Sequence, residues 1–306
     1  MDSNTTDSVI ITLNPVISVI RRKLHRLSDI RKRDLAFMVR RWITRARPLN
    51  VTVKDVNFRM TPTGSVALWV WLYHHFEDAE VGFVLDHLEP GDVFLDVGSN
   101  SGYYALAAGR KFDQFGSGQV YALEPSQWTF NLLQRNIWLN RLSNVFAFRL
   151  ALANYDGEAT LHINAPGKDG LNTLGRPVHP EARIVGSEEI PVARLDTFLL
   201  NQCIDRVDLM KIDCEGAELL VLQGAPGLLS RADAPLILYE QAGWTSGFDY
   251  QPSDITRLLN DCGFQLFTLN ESANLRPMAA QQEFGNFNGM VVAVKPSHRE
   301  FYKALI

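Results

Sequence analysis

Val93-Phe-Leu-Asp-Val-Gly-Ser-Asn-Ser-Gly-Tyr103 reads as an apolar strand, a glycine turn and the first residue of a helix. Gly98 and Gly102 permit a tight strand-to-helix turn and close approach of a ligand to the backbone. Outward from this stretch, short apolar runs alternate with helical ones. The runs fall at 93–97, 120–123, 145–150, 207–212, 236–239, 264–269 and 290–294, and helical patterns at 103–111 and 126–140 lie between several of them. Near-continuous apolar strands separated by helices predict an α/β fold whose parallel sheet is covered on both faces. Ligands in such sheets sit beyond the carboxyl ends of the strands, so the strand ends carry the candidate chemistry.

The second run ends in Tyr121-Ala-Leu-Glu-Pro125. A carboxylate there can accept both hydroxyls of a ribose, and together with the glycine turn it predicts a nucleoside lying across the first two strands. A dinucleotide fold asks for G-x-G-x-x-G and a pyrophosphate at the helix N-terminus. Here the loop is G-x-N-x-G, and Asp96 precedes it. That carboxylate would repel a pyrophosphate but suits the ammonium of an amino-acid moiety. The expected ligand is S-adenosylmethionine, with NAD and an oxidoreductase as the runner-up.

Asp96-Val-Gly-Ser-Asn-Ser-Gly102, Glu124-Pro125, Asn136 with Asn140, Ala151-Leu-Ala-Asn154 with Gly157, and Arg194-Leu-Asp-Thr197 join a further stretch, Asp208-Leu-Met-Lys-Ile-Asp-Cys-Glu-Gly-Ala-Glu218. Together they resemble the FkbM-type family of S-adenosylmethionine-dependent methyltransferases over residues 89–295. The first motif is shared by class I methyltransferases generally. The run from Lys211 to Glu218, followed by Leu222-x-Gly224-Ala225, is specific to the family. Ser99 and Cys214 stand where other residues are commoner. The resemblance implies a class I, Rossmann-like fold: a seven-stranded, mostly parallel sheet with an antiparallel last strand and helices on both faces. It also implies methyl transfer to a hydroxyl of a natural product or carbohydrate. By position, Asp96, Gly98, Asn100 and Gly102 would hold the methionine part, with Ser99 in the same loop, and Glu124 would hold the ribose. Pro125 and Ser126 would shape the nucleoside pocket. Ala151 and Leu152 would border the adenine, core packing being their other reading.

Period-two alternation in the fourth run puts Leu209, Lys211 and Asp213 on one face. Asp213 lies at the carboxyl end, beside the expected position of the transferred methyl. A lysine inside a strand is costly unless it meets a carboxylate, so Lys211 should orient Asp213 or a neighbour. Glu215 and Glu218 follow at a turn or helix start, where negative charge is favourable in any case. Glu240 ends the fifth run and should sit beside Asp213. Two such carboxylates could position a hydroxyl, share a proton, or hold Mg²⁺ or Ca²⁺ with waters; a metal is not expected. In-line transfer needs oxygen, methyl and sulfur aligned at about 3–3.5 Å, and the alcohol proton needs a destination. Asp213 is the first candidate for base or orienter, with Glu240 and Glu215 next and Lys211 in support. The irregular stretch 164–189, with Gly170-Leu-Asn-Thr173 at its centre, is a candidate substrate lid, and His162 and His179 lie near it.

The chain of 306 residues carries a formal net charge of −4. That figure hides an asymmetry: residues 1–50 hold 11 Lys/Arg and 4 Asp/Glu, a net of +7, which leaves −11 for the rest. Residues 1–50 read as a basic helical N-terminal arm with helices at 15–27 and 31–45. Residues 51–88 read as a strand-and-helix lead-in, and 89–306 as the catalytic domain. The arm is expected to cap the catalytic domain or a second subunit of a homo-oligomer; the sharper alternatives are an acidic substrate or carrier, or peripheral contact with an anionic membrane. Nucleic acid is not an expected partner, because the catalytic part is acidic. The expected partner is a small-molecule, glycan or carrier-bound hydroxyl substrate. A non-catalytic binding module is the other alternative, against which the intact loop, Glu124 and Asp213 argue. Cys203, Cys214 and Cys262 form no paired or metal-binding pattern and fit reduced thiols in a cytoplasmic compartment. No stretch is long and apolar enough to span a bilayer.

Overall fold

The computed structural model describes residues 49–53, 55–60, 77–270, 273–278 and 289–298. The basic arm up to residue 48, with its two expected helices, lies outside the described residues, as do the turn expected at 61–64 and the helix expected at 66–75. The chain first forms a hairpin of β1 (Leu49–Val53) and β2 (Val56–Met60), then α1 (Asp78–Asp86). The nucleotide-type units follow: β3 (Val93–Val97), α2 (Tyr103–Phe115), β4 (Gln119–Leu123), α3 (Gln127–Asn140) and β5 (Val145–Phe148). Next come β6 (Ala151–Ala153), β7 (Gly157–Asn164), β8 (Ile184–Arg194) and α4 (Leu195–Asn201). The rest comprises β9 (Leu209–Ile212), α5 (Glu218–Gln223), α6 (Pro226–Ser230), β10 (Leu236–Gln241), α7 (Pro252–Asp261), β11 (Gln265–Leu269), β12 (Leu275–Pro277) and β13 (Gly289–Val294).

The main sheet runs β12-β11-β13-β10-β9-β3-β4-β5. β3, β4, β5, β9 and β10 are mutually parallel, while β13 is antiparallel to both β10 and β11. The antiparallel last strand is as expected. The strand count is eight rather than seven, because the three-residue β12 adds to the edge beside β11. Alternate residues of the central strands feed two cores. Phe94, Val120 and Leu209 pack with α1, α2, α3 and the β1–β2 hairpin. Leu95, Met210 and Ile237 pack with α4, α5, α6 and α7 on the opposite face. Burial on both sides is why these strands read as continuous apolar runs.

At Phe148 the chain leaves the main sheet and builds a second, three-stranded one, β6-β8-β7. The stretch 164–189 is therefore not wholly irregular: residues 184–189 belong to β8 and pair antiparallel with β7. Only the strap 165–183 joining the two strands is non-repetitive, with one 3₁₀ turn at Asp169–Leu171. Along 184–189 the side chains are exposed or half-exposed, so no apolar alternation marks the strand.

Candidate active site

β3, β4, β9 and β10 end side by side, and their carboxyl ends open into a cavity of 480 Å³, within the range of small-molecule sites. Its floor is the turn after β3. Gly98 takes φ 79° and Gly102 φ 95°; packing against backbone requires the first glycine, and the left-handed φ favours the second. A Cβ at Gly98 would lie 1.9 Å from the Asp213 carbonyl oxygen, and one at Gly102 would lie 2.6 Å from Leu133. Between them Asn100 adopts φ 50°, a left-handed backbone that asparagine tolerates better than most residues, and its side chain accepts the Ser101 N–H at 2.7 Å.

Glu124 is buried at the end of β4. One carboxylate oxygen accepts the Asn100 N–H at 3.0 Å and the other the Ser126 N–H at 3.0 Å. Burial pushes its carboxyl up to about 8, against the pull of those two N–H groups. Each oxygen retains lone-pair capacity, which suits a diol laid across the carboxylate. The loop 98–100, Glu124, Pro125, Ala151 and Leu152 all border the cavity. Asp96, Gly102 and Ser126 do not; they stand behind it. Asp96 is fully buried: its Oδ2 accepts the Ser99 hydroxyl at 2.6 Å, and its Oδ1 is 3.8 Å from Lys211 Nζ. Its carboxyl is raised chiefly by burial, with Lys211 opposing. Asp96 thus holds the loop and the lysine rather than facing the cavity.

Lys211 pairs across the sheet with Asp96. Its ammonium lies 3.1 Å from Asp213 Oδ2, donates to the Gly98 carbonyl at 3.3 Å, and sits 4.9 Å above the centre of the Tyr104 ring. Burial alone would favour the neutral amine, but Asp213, Asp96 and Glu77 together raise its pKa. Asp213, Glu215 and Glu240 face the same cavity. Burial, then Asp213 and Glu240, pushes the Glu215 carboxyl up to about 10. Burial and Asp213 likewise raise Glu240 well above the usual carboxylate range. Glu218 is outside the cavity: its Oε1 accepts the Cys214 N–H at 2.9 Å and the Gly216 N–H at 3.2 Å, which fixes the turn after β9. Among the described residues no group of three His, Cys, Asp or Glu side chains is arranged to hold a metal.

Two sets of cavity residues go beyond the site residues read from the sequence, the second foreshadowed by the lid candidate at 164–189. The first is Glu77, just before α1, whose Oε2 accepts the Tyr104 hydroxyl at 2.7 Å. An acid at a helix start has an ordinary reason to be there, so nothing in the sequence marks it. The second is the strap, which contributes Lys168, Asp169, Leu171, Asn172, His179 and Glu181. Lys168 pairs with Glu181, and the His179 ring centre lies 4.1 Å from that of Trp244. The length and irregularity of 164–189 was the only signal for this wall.

The family model for the methyltransferase FkbM domain matches residues 96–266, more than half of the chain. A protein named Methyltransferase 1, from Beauveria bassiana, is 33% identical over 150 residues, 44% of this chain and 59% of its own length. A hexuronic acid methyltransferase from Haloferax volcanii is 25% identical over 215 residues, 70% of this chain and 80% of its own. A solved Methyltransferase FkbM from Methylobacillus flagellatus aligns with 94% of this chain and 60% of its own at 14% identity and a TM-score of 0.42. The chain spans about three fifths of the length of the first curated relatives it matches.

Proposed function

The chain belongs to the FkbM methyltransferase family, and on that premise we propose that it moves a methyl group from S-adenosylmethionine to a hydroxyl oxygen of a natural product or carbohydrate. The observation that carries this reading is the single cavity with a diol-accepting carboxylate, Glu124, at one end and the Asp213–Glu240 rim at the other. The residues present fit the donor: backbone at 98–100 and the apolar Ala151 and Leu152 border the nucleoside end, and carboxylates surround the end that would meet a cation. When bound, S-adenosylmethionine would supply an electrophilic methyl on a positively charged sulfur.

The chain's own residues do the positioning. Lys211 fixes Asp213 at the carboxyl end of β9, and Asp213 orients the acceptor beside the methyl-bearing end of the donor for in-line attack. Glu215, with its carboxyl up to about 10, keeps its proton at neutral pH and donates a hydrogen bond to an acceptor oxygen, and Glu240, raised by burial and Asp213, lies at the same rim. Both lysines bordering the cavity already face carboxylates, Lys168 with Glu181 and Lys211 with Asp213. The hexuronic acid methyltransferase relative supports a carbohydrate.

Titration calorimetry with S-adenosylhomocysteine and with NADH tests the donor; saturable binding of the first and none of the second is expected. Methyl transfer from labelled S-adenosylmethionine to a panel of neutral glycosides and polyols tests the acceptor. Asp213→Asn and Glu240→Gln should each lower turnover at least tenfold while S-adenosylhomocysteine still binds. Full turnover in both variants would remove the two residues from the reaction.

A further inference from the structure

The cavity holds more carboxylates than positioning needs, and they are not equivalent. Glu77 enters from outside the segment that the family model matches. It takes φ 47° and ψ 47°, a left-handed backbone that costs a non-glycine residue about 1–2 kcal/mol, and it borders the cavity. The Tyr104 hydroxyl holds one of its oxygens at 2.7 Å, and the face of the same tyrosine ring supports the Lys211 ammonium. Glu77, Tyr104, Lys211 and Asp213 thus form one connected row, from α1 through α2 to the end of β9. The charged and titratable groups acting on Glu77 are Asp213 and Lys211 from β9, Tyr104 from α2, Glu240 from β10 and Glu80 on its own helix.

We propose that Glu77 is the catalytic group that takes the proton of the acceptor hydroxyl, and that arrival of the positively charged methyl donor empties it for that task. The proposal rests on the methyl-transfer reading above. Asp213 is already engaged, its Oδ2 lying 3.1 Å from the Lys211 ammonium. Glu215 is a poor choice because burial and Asp213 hold its carboxyl up to about 10, and burial and Asp213 also raise Glu240. Burial and then Asp213 bring the Glu77 carboxyl to about 7, with Lys211 and Tyr104 opposing, near the operating range a general base needs. A sulfonium seated by Asp213 offsets the repulsion between the two carboxylates and favours the Glu77 anion. In the step itself the acceptor oxygen bonds to the methyl carbon. The carbon–sulfur bond breaks with its electron pair left on sulfur, and the hydroxyl proton passes to a Glu77 oxygen.

The test needs no knowledge of the acceptor. S-adenosylmethionine and S-adenosylhomocysteine share nucleoside, ammonium and carboxylate and differ by the methyl and the sulfonium charge. Calorimetry of each with the full chain, in two buffers of different ionisation enthalpy near pH 7, counts the protons released. The methylated ligand is expected to release on the order of half a proton more than the other, since a group titrating near 7 is half protonated there. Glu77→Gln should abolish that difference. Tyr104→Phe, which removes a hydrogen bond favouring the anion, should keep the difference but move its maximum to higher pH, and it reads the same proton if Glu77→Gln does not fold. An unchanged difference in Glu77→Gln, no difference in the wild type, or no upward movement in Tyr104→Phe would overturn the proposal. Absence of binding by either ligand is a separate result that overturns the methyl-donor reading itself.

Discussion

Glu124 has both oxygens on backbone N–H groups, yet burial still holds its carboxyl up to about 8. A ribose donating two hydroxyl protons to it favours the anion. Affinity for S-adenosylhomocysteine should therefore be greatest above about pH 8 and fall below it, by up to tenfold per pH unit. Calorimetry across that range measures the slope, which Glu124→Gln should flatten while weakening binding throughout. Glu215 gives the complementary effect on stability. Its ordinary value is 4.5, and burial with Asp213 raises it to about 10 in the folded chain. Between those values the unfolded state binds fewer protons, so stability falls as pH rises from about 4.5 toward about 10. Glu215→Gln removes this term. Its melting temperature should exceed that of the wild type by more at high pH than at low, and equal shifts at both would show that Glu215 ionises freely.

The elements differ in how plainly the sequence declares them. β3, β4, β9 and β10 were legible because residues buried on both faces leave unbroken apolar runs, and Lys211 stood out as a cation inside one. β7 and β8 were not, because Leu161, Ile190 and Val192 are their fully buried apolar residues, with Ala159 and Ile163 half-buried against a small core of their own. The Asn136 and Asn140 pair was visible as a motif, but its work was not. Asn136 Oδ1 accepts the Arg59 N–H at 2.8 Å while its amide donates to the Ser101 carbonyl at 2.9 Å. Asn140 exchanges two hydrogen bonds with the Asn57 backbone, both at 2.7 Å. One turn of α3 thus pins the edge of β2 and the loop that carries Asn100. Only a partner 77 residues away in sequence explains Asn136, and no local pattern encodes that. Asn136→Ala leaves the buried Ser101 carbonyl and the part-buried Arg59 N–H without this partner and should cost about 1–3 kcal/mol. Denaturant unfolding measures that cost. S-adenosylhomocysteine affinity should fall as well, because the Ser101 carbonyl loosens the loop; a variant that lost stability but bound normally would confine α3 to a structural role.

The strap that the sequence suggested as a lid forms one wall of the cavity, and its bonds divide it in two. Its second part is anchored to the catalytic side: the Thr173 hydroxyl donates to the Glu215 carbonyl at 3.2 Å, and the Arg176 N–H donates to the Gly247 carbonyl at 2.9 Å. A Cβ at Gly175 would lie 2.6 Å from the Phe248 ring, and one at Gly247 would lie 2.4 Å from the Arg176 carbonyl oxygen. Backbone packed this closely cannot swing without breaking those contacts. The first part, 166–172, has no buried residue; among its bonds are those of the 3₁₀ turn, the Lys168 N–H to the Ala165 carbonyl at 2.9 Å, the Lys168–Glu181 pair and the bonds from Asn164 to Leu171 and Asn172. It also carries Asp169, whose charge is felt at Glu124. Ligand-linked motion should therefore be confined to 166–172. Hydrogen exchange with and without S-adenosylhomocysteine should show slowing there and little change at 173–176, since segments with few buried contacts open most readily. Gly247→Ala forces the two backbones apart, so it should speed exchange at 173–176 even in the free protein and weaken binding. Ligand protection spread evenly over 165–183 would mean instead that the whole strap closes as one lid and that its bonds to the catalytic turn form only on closure.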